Sequence, residues 1–295
     1  MSTKLRVMTF NVGAGKEESR CDTAKVSALI QKLAPDLVAV QEAVEWEEEG
    51  GGRWSLLDEI RGSDLHPAFG PTLALREHLH VRKKVFVDAL FSDLRDWRQG
   101  NGLLSKFRFV GLGDPSLPGT PRNVPLCRAP IYLGDRDTDP RWALLARIDK
   151  PPLFPYVLGT HLSTFVSERE REGNYRPRAD RREEAEIARF REARRILELL
   201  DKNVLARELP VLLLGDINAA PQEPCIQTVL VQEGGFVRLE PREEISTHPK
   251  LASPVDHILV APAGRLREYD CWVVDSQEAR EASDHLPVVA DIVLD

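Results

Sequence analysis

Cysteine is scarce in this 295-residue sequence. The four that occur are far apart and form no Cys-x-x-Cys pair, so the chain lacks the density and spacing of a disulfide framework. A chain of this length can bury a sufficient core without disulfides or a structural metal. We therefore expect reduced thiols, buried or neutral, in a reducing compartment, at Cys21, Cys127, Cys225 and Cys271.

Long apolar runs and an excess of positive charge are also missing. No apolar stretch approaches the length that spans a bilayer. The first apolar run, Leu5–Phe10, has the pattern of a strand and leaves no room for a signal peptide. We therefore expect a cytoplasmic protein with no membrane span. The net charge of −7 argues against strong nonspecific binding to nucleic acid.

The apolar segments that are present alternate between strand and helix patterns, which indicates an α/β fold. Several strand candidates are apolar at consecutive positions, as expected where both faces of a sheet are covered. No break in composition marks a domain boundary, so we expect one domain over residues 1–295. The predicted strands are Leu5–Phe10, Leu37–Val40, Val85–Phe91, Trp142–Ile148, Tyr156–Gly159, Val211–Leu214, Val255–Val260, Cys271–Val274 and Val288–Leu294.

Two helices are clear from the sequence. Asp22 is predicted to cap the first, and Pro35 is predicted to end it. Its apolar face consists of Val26, Leu29, Ile30 and Leu33. The second is predicted over residues 178–203, with its inner stripe formed by Ile187, Phe190, Ile196 and Leu200.

A coarse internal repeat is visible between residues 5–42 and residues 156–218. Each segment runs strand, helix, strand, with polar residues after the strands. Two related halves would bring both sets of strand ends to one cleft, although any α/β chain shows some such repetition. Long polar stretches at residues 42–53, 111–140 and 167–182 are predicted as surface loops.

Polar side chains recur at the edges of apolar runs. A carboxylate, amide or imidazole at such an edge is suited to a metal ion or to phosphate. Each motif alone is a weak signal, and the recurrence makes the set informative. The motifs are Thr9-Phe10-Asn11-Val12, Val40-Gln41-Glu42, Gly159-Thr160-His161-Leu162, Gly215-Asp216-Ile217-Asn218, Val255-Asp256-His257-Ile258 and Ser283-Asp284-His285-Leu286.

Glu42 is the first candidate ligand for a divalent cation, because its carboxylate follows a predicted strand directly. Mg²⁺ prefers hard oxygen ligands, takes few from the protein and keeps several waters. Asn11 could supply an amide oxygen and Asp284 a second carboxylate. The alternative interpretation of Glu42 is a solvated strand end.

Asp216 and Asn218 follow the most apolar strand of the chain, Val211–Leu214. A spacing of two places both side chains on one side of an extended backbone. A carboxylate and an amide that converge in this way can orient a nucleophilic water or hold a phosphoryl oxygen. The alternative interpretation is that both residues form a turn after the strand.

His161 and His285 are the candidates for acid–base or charge-stabilising roles. Asp256 would orient His285, fix its tautomer and favour the imidazolium. His257 is adjacent to Asp256, so we expect it on the opposite face of the strand in a structural role. The remaining histidines have no such context and are predicted in surface or loop positions: His66, His78, His80 and His248.

This ordered set of motifs, together with Gly102-Leu103-Leu104-Ser105, resembles the endonuclease/exonuclease/phosphatase superfamily, the DNase I-like metal-dependent phosphoesterases. The motifs span residues 9–286, nearly the whole chain. The resemblance implies a four-layer α/β sandwich, in which two mixed β-sheets pack face to face with helices outside and the site lies at one edge.

The resemblance also implies roles for the residues. Glu42, with Asn11 and Asp284, is similar to the family's metal site for Mg²⁺ or Mn²⁺. Asp216 and Asn218 look like the pair that orients the nucleophile or protonates the leaving group. His285 and Asp256 look like a phosphate-stabilising dyad, and His161 matches a branch with a second histidine. Arg141 lies where some members place a phosphate-binding arginine.

Two departures count against the abasic-site endonuclease branch of the family. That branch has a tyrosine-centred motif where this chain has His161. It also usually has an acidic residue two positions after the first asparagine, where this chain has Gly13.

These observations lead us to expect a monomeric hydrolase that cleaves phosphate esters by in-line attack of an activated water. A phosphodiesterase or nuclease ranks first, an inositol-phosphate or lipid (sphingomyelinase-like) phosphoesterase second, and a silent binding module third. Arg176, Arg178, Arg181 and Arg182 are candidates for binding substrate phosphates, including those of nucleic acid. They could equally form the solvated start of a charged helix.

Overall fold

The computed structural model describes residues 2–14, 21–48, 50–74, 95–127, 140–164, 179–204, 208–249 and 251–295. The strands are β1 (Thr3–Asn11), β2 (Leu37–Glu47), β3 (Arg53–Ser55), β4 (His66–Ala74), β5 (Arg95–Ser105), β6 (Arg122–Cys127), β7 (Arg141–Arg147), β8 (Tyr156–His161), β9 (Val211–Asp216), β10 (Val237–Arg238), β11 (Asp256–Ala261), β12 (Leu266–Val273) and β13 (Val288–Leu294). The helices are α1 (Thr23–Leu33), α2 (Leu56–Ile60), α3 (Ala179–Asn203) and α4 (Gln277–Ala282), with a π-helical segment at Cys225–Glu233 and a 3₁₀ turn at Ala263–Arg265.

The strands form two mixed sheets. Within the described residues, the order in the first sheet is β12-β13-β1-β2-β5-β4, with β3 paired to β2, and the order in the second is β10-β11-β9-β8-β7-β6. In each sheet one central pair is parallel, β1 with β2 and β8 with β9, and the pairs on either side are antiparallel. The strand, helix, strand repeat seen in the sequence is therefore present in the fold, one copy in each sheet.

Three apolar cores separate four layers. Side chains from both sheets, including Val7, Ala39, Leu144 and Leu212, form the central core. The outer face of the first sheet packs against α1, α2 and α4. The outer face of the second packs against α3 and the π-helical segment. The predicted four-layer α/β sandwich is confirmed.

Helix α1 begins and ends where the sequence indicates. The Asp22 carboxylate accepts a hydrogen bond from the Lys25 backbone N–H at 3.1 Å, which caps one of the unpaired N–H groups of the first turn. Ala34 adopts a left-handed conformation with φ of 49°, and Pro35 follows it. Val26 and Ile30 are buried against the first sheet.

Helix α3 has the expected length, but its buried stripe differs from the prediction. Ile196 and Leu200 are buried as expected, whereas Ile187 is 41% exposed. Two charged residues on the same helix, Arg189 and Glu192, are each only 1% exposed. A purely apolar stripe was therefore the wrong expectation, because this part of the helix packs against backbone groups as well as against apolar side chains.

Two of the predicted surface loops contain strands. Strand β2 continues through Glu47 and pairs with β3, so the segment 42–53 is mostly a hairpin. Glu45, expected at the surface, is 1% exposed and pairs with Arg53 and Arg98. Strand β6 lies within the predicted loop 111–140. The charged residues of the first segment concealed its hairpin in the sequence, because ion pairs with Arg53 and Arg98 allow Glu45 to be buried in the sheet.

Some expectations fall on residues outside the described ranges. These are the predicted strand Val85–Phe91, His78, His80, Arg176 and Arg178. No helix in the described part of the chain is long and apolar enough to cross a membrane.

Candidate active site

The carboxyl ends of the two parallel strand pairs meet at one edge of the sandwich. The Asn11 amide, at the end of β1, donates from Nδ2 to Asp216 Oδ2 at 3.0 Å and to Glu42 Oε1 at 3.3 Å. His161, at the end of β8, places Nε2 3.4 Å from the same Asp216 Oδ2. One asparagine thus connects the two sheets through a carboxylate of each.

Glu42 lies at a bulge inside β2 and not at the strand end that the sequence predicts. The pairing of β2 with β5 shifts register between Val40 and Ala43, and Glu42 has a φ of 57°. A left-handed conformation at a non-glycine residue costs on the order of 1–3 kcal/mol and is typical of functional sites. The bulge turns the Glu42 carboxylate toward Asn11, which a regular strand would not do at this position.

Asp216 and Asn218 are brought together by a turn. Asp216 Oδ1 accepts a hydrogen bond from the Asn218 backbone N–H at 3.0 Å, and Asn218 is left-handed with φ of 53°. The Asn218 amide then donates to the Leu162 carbonyl at 3.1 Å, which ties the ends of β8 and β9. The turn that the sequence offered as the alternative interpretation is therefore present, and the contact between the two residues is made by the Asn218 backbone N–H.

His285 and Asp256 form a buried pair. His285 Nδ1 lies 2.9 Å from Asp256 Oδ2, and His285 Nε2 lies 3.9 Å from Asp216 Oδ2. With Nδ1 engaged by Asp256, the nitrogen that faces the site is Nε2. The structure thus joins the two residues that the sequence selected as partners, and it places them beside Asp216.

The loop before β11 supports this pair, and sequence reasoning missed it. Thr247 is fully buried; its hydroxyl accepts from the Val255 and Asp256 backbone N–H groups at 3.1 and 3.2 Å. Its carbonyl accepts from the Leu286 N–H at 2.7 Å. Thr247 therefore hydrogen-bonds to both of the segments that carry Asp256 and His285. No apolar run adjoins Thr247 in the sequence, so the pattern used to select the other residues did not include it.

His248 was predicted at the surface or in a loop, and the surface position is wrong. It lies in a loop but is only 5% exposed. Its ring stands edge-on to the His285 ring with centroids 4.7 Å apart, and its Nε2 is 3.8 Å from Asp284 Oδ2. The residues around His248 in the sequence are polar and did not indicate that it is buried. The packing of the loop that contains Thr247 buries it.

His257 lies away from this cluster, as the alternation of the strand predicts. Its Nε2 is 2.9 Å from the Ala219 carbonyl, and its side chain is fully buried. Burial lowers the pKa of His257 to about 4, more than the hydrogen bond to Ala219 raises it. The imidazole is therefore neutral at physiological pH, which is consistent with a structural role.

Asp284 lies against Gly13. Gly13 is the position at which the sequence analysis noted the absence of an acidic residue. Gly13 has a φ of 61°, and a Cβ at this position would lie 2.9 Å from Asp284 Oδ1. The Gly13 N–H also donates to Asn11 Oδ1 at 3.0 Å. Ser283 connects the same elements, since its hydroxyl donates to the Asn11 carbonyl at 2.7 Å. A larger residue at position 13 would therefore displace Asp284.

Replacement of Gly13 by alanine tests this packing. We expect Gly13→Ala to lower the free energy of unfolding by about 1–2 kcal/mol, because the new Cβ would sit in a left-handed conformation against a carboxylate. Denaturant unfolding measures the change. Gly264→Ala is the control, since a Cβ there meets open space. Equal stability of the two variants would contradict the argument.

Arg141 lies at the start of β7 and is 6% exposed. Its Nη2 donates to Thr164 Oγ1 at 3.1 Å. Thr164 lies three residues beyond His161 in the chain, so the guanidinium is beside the loop that follows β8. The structure therefore places Arg141 next to the site, whereas Arg176 and Arg178 lie outside the described residues.

The donor set suits a divalent cation. Asp216, Asp256 and His285 each offer a ligand atom, and the three atoms lie within 4.8 Å of one another. Asp256 Oδ1 is buried and receives no hydrogen bond from the described part of the chain. Glu42 adds a further carboxylate beside Asn11. Carboxylate oxygens and an imidazole nitrogen are ligands that divalent cations accept.

The sequence model of the Endonuclease/Exonuclease/phosphatase family matches residues 8–285. The chain belongs to this family. No curated protein matches it. Its fold is similar to that of an endonuclease/exonuclease/phosphatase from Beutenbergia cavernae DSM 12333, with 22% identity and a TM-score of 0.67 over 99% of this chain and 72% of that one.

Two further solved structures share the fold. The endonuclease/exonuclease/phosphatase from Bacteroides vulgatus is 16% identical, with a TM-score of 0.62 over 99% of this chain and 100% of that one. The human Nocturnin catalytic domain with bound sulfate anion is also 16% identical, with a TM-score of 0.59 over 99% of this chain and 94% of that one.

Proposed function

We propose that this protein is a divalent-metal-dependent hydrolase of phosphate esters, and specifically a phosphodiesterase or nuclease. The observation that carries the proposal is the meeting of Asn11, His161 and His285 around one carboxylate, Asp216. Glu42 is joined to this group through the Asn11 amide. Membership of the endonuclease/exonuclease/phosphatase family supports the same class of reaction.

Glu42, with Asn11 and Asp284, would hold Mg²⁺ or Mn²⁺ beside this cluster. When bound, such an ion neutralises developing negative charge on a phosphoryl oxygen and orients the substrate. The Asn11 nitrogen already connects Glu42 to Asp216. The ion and the proton-transfer residues would therefore share one small volume.

The remaining residues would have separate roles, some in proton transfer and others in stabilising negative charge. Asp216 Oδ2 is the acceptor to which three polar side chains converge, which suits it to orient a water for in-line attack and to take its proton. His285, paired through Nδ1 with Asp256, can carry positive charge and present Nε2–H to a phosphoryl oxygen. His161, 3.4 Å from Asp216 Oδ2, offers a second such group, and Asn218 fixes the Asp216 carboxylate through its backbone N–H.

The charged groups of the site support a phosphate ester as the substrate. Imidazolium and guanidinium groups beside carboxylates suit a tetrahedral oxyanion, and the bound sulfate of the human Nocturnin domain is an oxyanion held by the same fold. The Arg141 guanidinium donates to the Thr164 hydroxyl, three residues beyond His161. We assign it to a non-bridging phosphate oxygen of the substrate.

A panel of substrates assayed with Mg²⁺ and with Mn²⁺ tests the proposal. It contains an aryl phosphodiester, an aryl phosphomonoester, single- and double-stranded DNA, RNA, an inositol phosphate and sphingomyelin. We expect metal-dependent hydrolysis of the diester and of at least one nucleic acid, abolished in the variant Asp216→Asn. Hydrolysis of the inositol phosphate or the lipid alone would favour the second-ranked class, and no hydrolysis of any substrate would overturn the proposal.

Neutralising Arg176 and Arg178 tests nucleic-acid binding. If both contact phosphates, the double variant Arg176→Gln/Arg178→Gln should have a higher KM for nucleic acid. The slope of log binding constant against log salt should fall by about one unit per lost contact. Turnover of a small aryl phosphodiester should be unchanged. Arg194→Gln/Arg195→Gln, on exposed ion pairs of α3, is the control, and an unchanged KM and slope would show that the arginines are only solvated.

A further inference from the structure

We propose that Arg189 and Glu192 of α3 are positioning residues that hold the starts of the loops after β8 and β9, residues 162–164 and 217–223, in one fixed arrangement. These loops follow His161 and Asp216, so the catalytic consequence rests on the proposed function, while the contacts stand independently of it. The two residues are three apart on the helix and share a face. Both are fully buried.

Glu192 makes two hydrogen bonds to Ser163, in the loop after His161. Its Oε1 accepts from the Ser163 hydroxyl at 2.6 Å, and its Oε2 accepts from the Ser163 backbone N–H at 2.9 Å. Ser163 is two residues beyond His161. Both oxygens of one carboxylate therefore fix the backbone that leads out of β8.

Arg189 binds the carbonyl side of the same loop. Its Nη1 donates to the Thr164 carbonyl at 3.0 Å and to the Ser163 carbonyl at 3.3 Å. Between them, Arg189 and Glu192 satisfy donors and acceptors of a backbone that has just left the sheet. Thr164 in turn accepts from Arg141, so the arginine assigned to substrate phosphate rests on the same support.

Arg189 also reaches the loop after Asp216. Its Nε and Nη2 donate to Glu223 Oε2 at 3.1 and 2.8 Å. The other oxygen, Glu223 Oε1, accepts from the Ala220 backbone N–H at 3.1 Å. Ala220 is two residues beyond Asn218. One guanidinium therefore connects the backbones that follow both strands of the parallel pair.

The energetic cost of this arrangement indicates a purpose beyond packing. Burial raises the pKa of Glu192 more than Arg141, Ser163 and Arg189 together lower it, so its ionised form is poorly solvated. Apolar residues such as Ile196 fill the same side of α3 one and two turns later. Well-packed apolar groups often replace a buried ion pair, such as Arg189 with Glu223, without loss of stability. What they cannot replace is the fixed hydrogen bonding of two loops.

Arg189→Lys tests the proposal, because lysine keeps the charge but cannot form the planar fork. We expect kcat for a small aryl phosphodiester to fall about 100-fold, with KM changed by less than about threefold. Amide hydrogen exchange in residues 161–164 and 218–220 should accelerate about tenfold. Arg194→Lys, in an exposed ion pair between α3 and Glu233, is the matched control and should change neither quantity.

A second comparison separates positioning from loss of folded protein. In a His161→Ala background, Arg189→Lys should lower kcat by a much smaller factor than it does in the wild type. The reason is that His161, one of the residues that Arg189 helps to position, is already absent. If the factors by which the two substitutions lower kcat multiply fully, the cause is general destabilisation and the inference is overturned. If Arg189→Lys does not fold, Ser163→Ala decides, because it removes one hydrogen bond to Glu192 and keeps every charge; we expect about a tenfold fall in kcat.

Unchanged kcat and unchanged exchange in the folded variant would also overturn the inference. If the wild-type enzyme hydrolyses none of the substrates, the proposed function fails. The exchange measurement then decides alone whether Arg189 and Glu192 fix the two loops, so the two failures remain distinguishable.

Discussion

His285→Ala is expected to lower kcat by about 10³-fold, with a smaller effect on KM, because the imidazole acts on charge that develops in the transition state. Asp256→Asn should give a loss of similar size. It keeps the shape of the side chain but removes the negative charge that favours the imidazolium 2.9 Å away. Steady-state kinetics on the aryl phosphodiester with Mg²⁺ measures both.

The double variant distinguishes a pair from two separate contributions. Residues that act as a unit are strongly non-additive. We therefore expect His285→Ala/Asp256→Asn to be about as slow as the worse single variant. His66→Ala, at an exposed position of β4, is the control for loss of a histidine. A double loss equal to the product of the single losses would show that the two residues work independently.

Glu42→Gln is expected to lower activity by about 10³-fold, because a metal ion contributes several kcal/mol of charge stabilisation. The amide keeps an oxygen but loses the charge that attracts the cation. A raised concentration of Mg²⁺ or Mn²⁺ should therefore recover only part of the activity. Glu47→Gln, at the exposed end of the same strand, is the control, and titration of activity against metal concentration is the measurement.

Removal of the metal from the wild-type protein tests metal dependence independently of any substitution. A chelator should abolish hydrolysis by the wild-type protein, and added Mg²⁺ or Mn²⁺ should restore it. Full activity in the chelator would exclude a metal-dependent mechanism whatever the behaviour of Glu42→Gln.

Local signals in the sequence predicted the elements that depend on local physics. The Asp22 cap and Pro35 marked α1 to within a residue, since both act within one turn. The apolar runs that end in Asn11, His161 and Asp216 marked the central strands, because those strands are covered on both faces. The order of the motifs indicated the fold, and the strands then brought the marked residues to one edge.

Features that depend on distant contacts could not be predicted. The bulge at Glu42 requires the register of β5, which lies more than 50 residues further along the chain. The burial of His248 requires the pairing of Thr247 with Leu286. Arg189 and Glu192 look like any exposed charges of a polar helix until the loops that they bind are in place. In each case the partner is remote in sequence, and composition alone gives no sign of it.

The pairing of β1 with β13 has a consequence for folding during synthesis. Residues 3–11 cannot complete their antiparallel pairing until residues 288–294 have been made, whereas the second sheet draws on residues 122–261 alone. Contacts of such high sequence separation form slowly. The growing chain therefore carries an unfinished first sheet while the residues of the second are already available, and Asn11 meets Ser283 only after residue 283 has been made. The candidate active site would then be completed in one late step, after residue 285 has been made.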